Sequence, residues 1–196
     1  KDRVLANIDV ELKITDYLKL TWRGATDVSN FARKDWEAIM GFTPGTPQDV
    51  KGTIPNPGLV YENSVHRRSS GSLLMLQFTK DLTSDLSLDL LVGHSFGENY
   101  YKDIEANISS LVVPYFYNLA NTDGAKNAFT YESTLRRQSV FAQGTVGFRD
   151  LLYLTLSGRN DWSSTLPAGE NSYFYPAASL SFLFSDLLAS SDILSL

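Results

Sequence analysis

Arg159-Asn160-Asp161-Trp162-Ser163-Ser164-Thr165-Leu166-Pro167, then Asn171-Ser172-Tyr173-Phe174-Tyr175-Pro176, then an alternation through Leu180, Phe182 and Phe184, is the stretch on which the reading of this chain turns. It predicts a strand climbing to a polar loop and a second strand descending from it with one apolar face. Side chains at every second position of a pleated strand share a side. The same period of two runs through the rest of the sequence. Val4, Ala6, Ile8, Val10, Leu12 and Ile14 oppose Arg3, Leu5, Asn7, Asp9, Glu11 and Lys13. Leu18, Leu20 and Trp22 alternate with Lys19, Thr21 and Arg23, and Leu86, Leu88, Leu90, Val92 and Phe96 with Ser87, Asp89, Gly93 and Ser95. Val140, Ala142, Val146 and Phe148 continue the pattern, as do Leu152, Leu154 and Leu156.

These alternations predict seven strands, at 3–14, 18–28, 67–79, 85–96, 136–148, 151–160 and 174–185. Their lengths are close to the roughly 9–11 residues that a tilted strand needs to cross a bilayer. The third is the least regular, because Leu73 to Leu76 form a continuous apolar run that a fully buried strand would also give. The connections alternate in length. Thr15-Asp16-Tyr17, Lys80 to Ser84 and Arg149-Asp150 are tight; 29–66 and 97–135 are long, and 161–173 is shorter. Short turns at one end and long loops at the other are the pattern of an antiparallel transmembrane β-barrel with short periplasmic turns and long extracellular loops. The tight turns keep Ile14 toward Leu18, and Phe148 toward Leu152, on one face; a slip of one residue would reverse every side chain. On this reading Val10, Leu12, Leu20, Leu88, Leu90, Leu154, Leu180 and Phe182 face lipid. Tyr17, Phe78, Phe148 and Phe184 stand near the short-turn end as an interfacial girdle, although aromatic residues also end strands in other sheets.

Composition sets bounds. The 196 residues suffice for one domain, and the net charge of −5 disfavours nucleic acid as a partner. With no cysteine there is no disulfide framework or thiolate metal site. No apolar run is long enough for a transmembrane helix. The slightly negative mean hydropathy does not oppose a barrel, because alternation dilutes the apolar content of its strands. No signal peptide is visible, and Lys1 stands inside a strand pattern, so the sequence reads as an excerpt of a longer chain.

The long connections carry their own features. Asn30 to Phe42 has the pattern of a short helix, with Asn30 as cap and Trp36, Ile39 and Met40 on one side. Residues 43–58 are rich in proline and glycine and read as coil. Residues 111–119 form an apolar patch that is expected to be buried against a plug, a loop or a partner. Trp36, Tyr61, Tyr100, Tyr101, Tyr115, Phe116 and Tyr117 could stack on sugar rings, or could pack among themselves as a loop core. Arg159, Asp161 and Trp162 are candidates for a ligand contact; the alternative is that Asn160 and Asp161 satisfy backbone groups at a strand exit. Asp9 and Glu11 share a strand face, which fits lumen-facing charges better than an acid–base pair. His66 and His94 lack the spacing of a metal pair, and His94 reads as an interfacial residue. No phosphate-binding loop or nucleophile elbow is present. Neither a cofactor nor a catalytic constellation is expected, and a barrel enzyme is disfavoured.

Tyr153 to Ser185 resembles the SusC/RagA family of TonB-linked outer-membrane transporters. The residues that carry the resemblance are Tyr153 to Pro167, Asn171 to Pro176 and Ser179-Leu180-Ser181-Phe182, with a fainter likeness at Phe116 to Asn121. It implies a barrel of about 22 strands around an N-terminal plug, energised through TonB. It also implies a SusD-like surface lipoprotein as lid and an oligosaccharide or peptide as cargo. Residues 1–196 are then expected to be part of the barrel domain, without plug or TonB box. Two other readings stand beside it: a siderophore-type receptor of the same class, and a soluble β-sandwich binding domain.

Overall fold

The computed structural model describes residues 1–41, 56–167 and 169–184. The strands are β1 (Asp2–Thr15), β2 (Leu18–Glu37), β3 (Leu59–Asp81), β4 (Leu86–Ser109), β5 (Lys126–Phe148), β6 (Leu152–Ser163) and β7 (Ser172–Phe182). They form one sheet in sequence order, with β1 and β7 at its edges. A sandwich would place two sheets face to face; this single sheet does not have that architecture.

The registers show why the alternation holds. β5 and β6 pair antiparallel with Phe148 opposite Leu152 and Val146 opposite Leu154. β6 and β7 pair with Leu154 opposite Leu180 and Leu152 opposite Phe182. Directly opposed residues share a face, so the apolar sets of three strands merge into one surface. That surface is solvent-accessible: Leu154, Leu180 and Phe182 are 43%, 69% and 55% exposed. Val10, Leu12 and Leu90 are exposed as well, while Leu20 and Leu88 are half-buried.

Four strands run further than the periodicity predicts. β2, β3, β4 and β5 have 20, 23, 24 and 23 residues, about twice what a bilayer crossing requires. The expected loops at 29–66 and 97–135 shrink to the segments after Glu37 and after Ser109. The helix expected from Asn30 is absent: residues 30–37 continue β2, Met40 makes a two-way backbone bridge with Asn56, and Phe42 lies outside the described residues. Strand partners on β3 override the local helical pattern. Asn30 Oδ1 accepts from His66 Nδ1 (2.6 Å), and Lys34 pairs with Glu62 (2.8 Å). Most of the expected coil at 43–58 lies outside the described residues.

Contacts divide the chain into two units. One comprises Lys1–Val4, Asp27–Arg68 and Tyr100–Thr134. It holds a small core of Val60, Ile108 and Leu111, against which Ile39, Tyr117 and Leu119 pack. The other comprises Leu5–Thr26, Ser69–Asn99 and Leu135–Leu196. It contains the tight turns at Asp16-Tyr17, Leu82 to Asp85 and Arg149 to Leu151. In the last turn Arg149 and Asp150 take φ of 53° and 54°, left-handed values that aspartate tolerates better than most residues.

Candidate functional site: a polar face with a groove

The face opposite the apolar one is held by side-chain bonds between neighbouring strands. In the unit with the tight turns, Arg23 pairs with Asp9 (3.3 Å) and Lys19 with Glu11 (3.7 Å). Asp89 accepts from Thr79 (2.6 Å) and Gln77 (3.3 Å). Thr145 bonds Thr155 and Ser95 bonds Ser139, both at 2.9 Å. All these positions are odd-numbered, as strands with matched registers require. Asp9 and Glu11 thus serve as cross-strand ion-pair partners.

A groove of about 570 Å³ opens on this face where β4 to β7 meet. Arg159 is among the residues that line it. Its Nε donates to Asp161 (2.7 Å) and its Nη2 to Ser139 (2.8 Å), which is 5% exposed and bonded in turn to Ser95. The guanidinium carbon stands 5.7 Å from the centre of the Phe141 ring. Phe141 has room to lie there because β4 carries Gly93 beneath it: a Cβ at Gly93 would overlap the ring. Tyr175 pairs with Arg159 and Tyr173 with Asp161, so both tyrosines share this face. Trp162 pairs with Gln138 and Ser172, and both Trp162 and Gln138 also line the groove. The structure thus brings all three candidates of the opening stretch to the groove, Arg159 and Asp161 bonded to each other and Trp162 at the next position along β6. The strand exit expected at Asn160 is not there, since β6 continues to Ser163. Asn160 donates to the Ser172 hydroxyl (2.8 Å) and Asp161 accepts from Arg159, so neither serves the backbone group expected of it.

In the other unit the aromatic candidates separate by face. Tyr101 donates to Asp103 (3.0 Å), meets Tyr131 (5.9 Å between ring centres) and lies under Arg67 (5.3 Å). Asn63 donates to the same carboxylate (2.5 Å). Tyr61 is near this group, its phenol raised in pKa first by burial and then by its bond to Glu105. Tyr100, one residue along, turns the opposite way. It contacts His66 (5.8 Å), lies under Arg68 (5.5 Å), and its pKa is raised chiefly by donating to Glu132. Trp36 stacks on Tyr117 (5.6 Å).

The 111–119 patch is only partly buried. Leu111 and Tyr117 join the small core, but Val112, Val113, Tyr115 and Phe116 are exposed, Tyr115 by 84%. The loop is fixed by Asn121, 5% exposed, whose amide exchanges bonds with Val113 N (2.9 Å) and Val113 O (2.8 Å) and donates to Phe116 O (2.5 Å). A polar clasp on backbone groups holds the shape, so the apolar side chains need not turn inward.

Arg137, Ser139, Phe141, Gly93, Tyr173 and Tyr175 were not singled out by sequence reasoning. The signal available for the tyrosines was their odd numbering, shared with Arg159 and Asp161 across one loop.

The family model described as "TonB dependent receptor-like, beta-barrel" matches residues 2–190. No curated protein matches the chain. Among solved structures it is similar to one titled "Structure of the RagAB peptide transporter", at 17% identity and a TM-score of 0.82, over 96% of this chain and 20% of that one. It is also similar to the RagAB peptide importer in a "closed-closed" state (18%, TM-score 0.81, 96% and 20%) and an "open-open" state (18%, TM-score 0.80, 97% and 20%). At such identities the likeness is one of fold. The chain spans about a fifth of the length of these structures.

Proposed function

The chain belongs to the TonB-dependent receptor-like β-barrel family, and from that premise we propose that it forms part of the wall of an outer-membrane transporter. Its apolar face meets lipid through Val10, Leu12, Leu20, Leu88, Leu90, Leu154, Leu180 and Phe182, and its polar face lines the pore. The observation that carries this reading is the two-sidedness of the sheet. The same strands that expose leucine and phenylalanine on one side exchange ion pairs and hydroxyl bonds on the other.

The wall makes and breaks no bond. Cargo is captured on the outer side beneath a SusD-like lipoprotein, and TonB acting on a plug elsewhere in the receptor opens the way. Cargo is an oligosaccharide or a peptide; the solved structures of similar fold are of a RagAB peptide transporter and peptide importer, which favours the peptide. Trp36, Tyr61, Tyr101, Tyr115, Phe116 and Tyr117 in one unit, and Arg159 and Asp161 in the other, are the proposed contacts. Trp162 lines the same groove as Arg159 and Asp161 and is a proposed contact with them, whereas Tyr100 takes part only if cargo or lipoprotein reaches the alternate face. The siderophore-type receptor is the alternative within the class.

A depth map of the intact receptor tests the reading. Single cysteines at Asp9, Val10, Leu88, Asp89, Leu180 and Ser181 carry a lipid-quenchable fluorophore in bilayers. Strong quenching at Val10, Leu88 and Leu180, with weak quenching at their odd-numbered neighbours, is expected. Absence of quenching at all six means that the apolar face packs on protein and overturns the reading.

A further inference from the structure

Among the described residues, the arginines are matched almost throughout. Arg3, Arg23, Arg33, Arg136, Arg149 and Arg159 have carboxylate partners, and Arg67 and Arg68 lie over tyrosine rings. Arg137 has neither. It is exposed, pairs through the backbone with Ser163, and lines the groove around Arg159.

Arg159 is held in place by Asp161, by Ser139 and by the ring of Phe141, and its Nη1 makes no bond to a described residue. A guanidinium fixed on one edge and free on the other is a preorganised donor. The groove thus contains two guanidinium groups and one carboxylate, an excess of one positive charge. That excess suits a singly charged anion better than a doubly charged phosphate. The planar guanidinium fork matches a carboxylate in shape. Tyr173 and Tyr175 line the same groove, each about half exposed, and supply an apolar flank beside the charges.

We propose that this groove is a carboxylate-binding subsite, with Arg137 as the free cation, Arg159 as the fixed one, and Tyr173 and Tyr175 against the adjoining apolar part of the ligand. The proposal rests on the transporter reading, since a cargo meets the groove only by passing the polar face. Two kinds of cargo bear such a group: a peptide at its C-terminus and an acidic glycan on its uronic acids.

The test uses the intact receptor in detergent and two matched pairs of probes. One pair is a short tyrosine-ended peptide as the free acid and as its amide; the other is tetragalacturonate and its methyl ester. Calorimetric titration is expected to show at least one acid binding about tenfold more tightly than its neutral twin. Whichever pair shows it identifies the source of the carboxylate. The preference is expected to fall to less than about threefold in Arg137→Gln, to survive in part in Arg137→Lys, and to persist in Lys126→Gln, which removes a charge elsewhere. Equal binding of acid and neutral twin in both pairs, or a preference that survives Arg137→Gln unchanged, overturns the proposal. Depth quenching at Asp9 and Val10 in the same preparation separates the two ideas. If it alternates while the preference is absent, only the subsite fails; if it does not alternate, the wall reading fails with it.

Discussion

Gly93, Phe141 and Arg159 form a stack whose order of dependence runs from the smallest residue upward. With no side chain, Gly93 leaves a place for an aromatic ring, and the ring supports a cation. Gly93→Ala must push the ring aside. The expected cost is about 1–3 kcal/mol, read from urea unfolding of the refolded receptor in micelles. Adding Phe141→Leu to Gly93→Ala should recover most of it; no recovery would mean that the glycine is needed for its backbone. Tyr100 offers a second check at this scale. Its phenol is raised above its ordinary pKa of 10.0 by the bond to Glu132, so it ionises late. Because the folded value is the higher one, the stabilisation is complete below pH 10 and fades as pH rises through the folded value. The ultraviolet titration step missing from Tyr100→Phe should therefore lie above pH 10. A step at or below 10 would argue against the bond.

Strands show most clearly what a sequence discloses and what it hides. The turn-side portions of β1, β2 and β4 to β7 were legible from Val10, Leu88 or Leu154, because alternation of apolar with polar residues is the signal of a sheet with two different environments. The continuations of β2 through Arg33-Lys34-Asp35 and of β4 through Tyr100-Tyr101-Lys102 were not. There both faces carry charged and aromatic residues, so the periodicity vanishes although the backbone ladder does not. The groove was half legible. Arg159 and Asp161 stood out in the opening stretch, whereas Arg137 and Phe141 come beside them only through the β5–β6 register. Faces give a direct test. Leu154→Lys, between Val146 and Leu180, should cost up to about 2–4 kcal/mol in a bilayer. Thr155→Lys on the polar face should lose no more than its bond to Thr145, about 0.5–1.5 kcal/mol. Equal costs in lipid-based unfolding would contradict the assignment of faces. In the loop after β4, Asn121→Ala removes three bonds to backbone groups. Amide exchange at Val113 should quicken at least tenfold, with the β6–β7 amides unchanged.

At the scale of the whole chain, the sheet has two edges, β1 and β7, each with a row of backbone groups open to pairing. Its largest apolar surface is also uncovered, since the buried hydrophobic residues are few: Val60, Val65, Ile108 and Leu111 among those described. Residues 1–196 expressed alone in plain buffer should therefore associate or precipitate and not remain a monomer, as light scattering would show. A stable monodisperse monomer would mean that the faces and edges close on themselves.

If the polar face lines a pore, as proposed, the matching of its charges also bears on how fast a charged solute would pass it. A lone ion attracts its opposite over a distance, whereas two neighbouring opposite ions act as a dipole whose pull fades sooner. Asp9 with Arg23, Glu11 with Lys19 and Asp161 with Arg159 leave shallow wells of this kind. On that reading a charged solute would dwell little over these pairs and longer at Arg137, which has no carboxylate partner among the described residues. Passage would then be slowed at a few lone charges and not by friction spread along the wall.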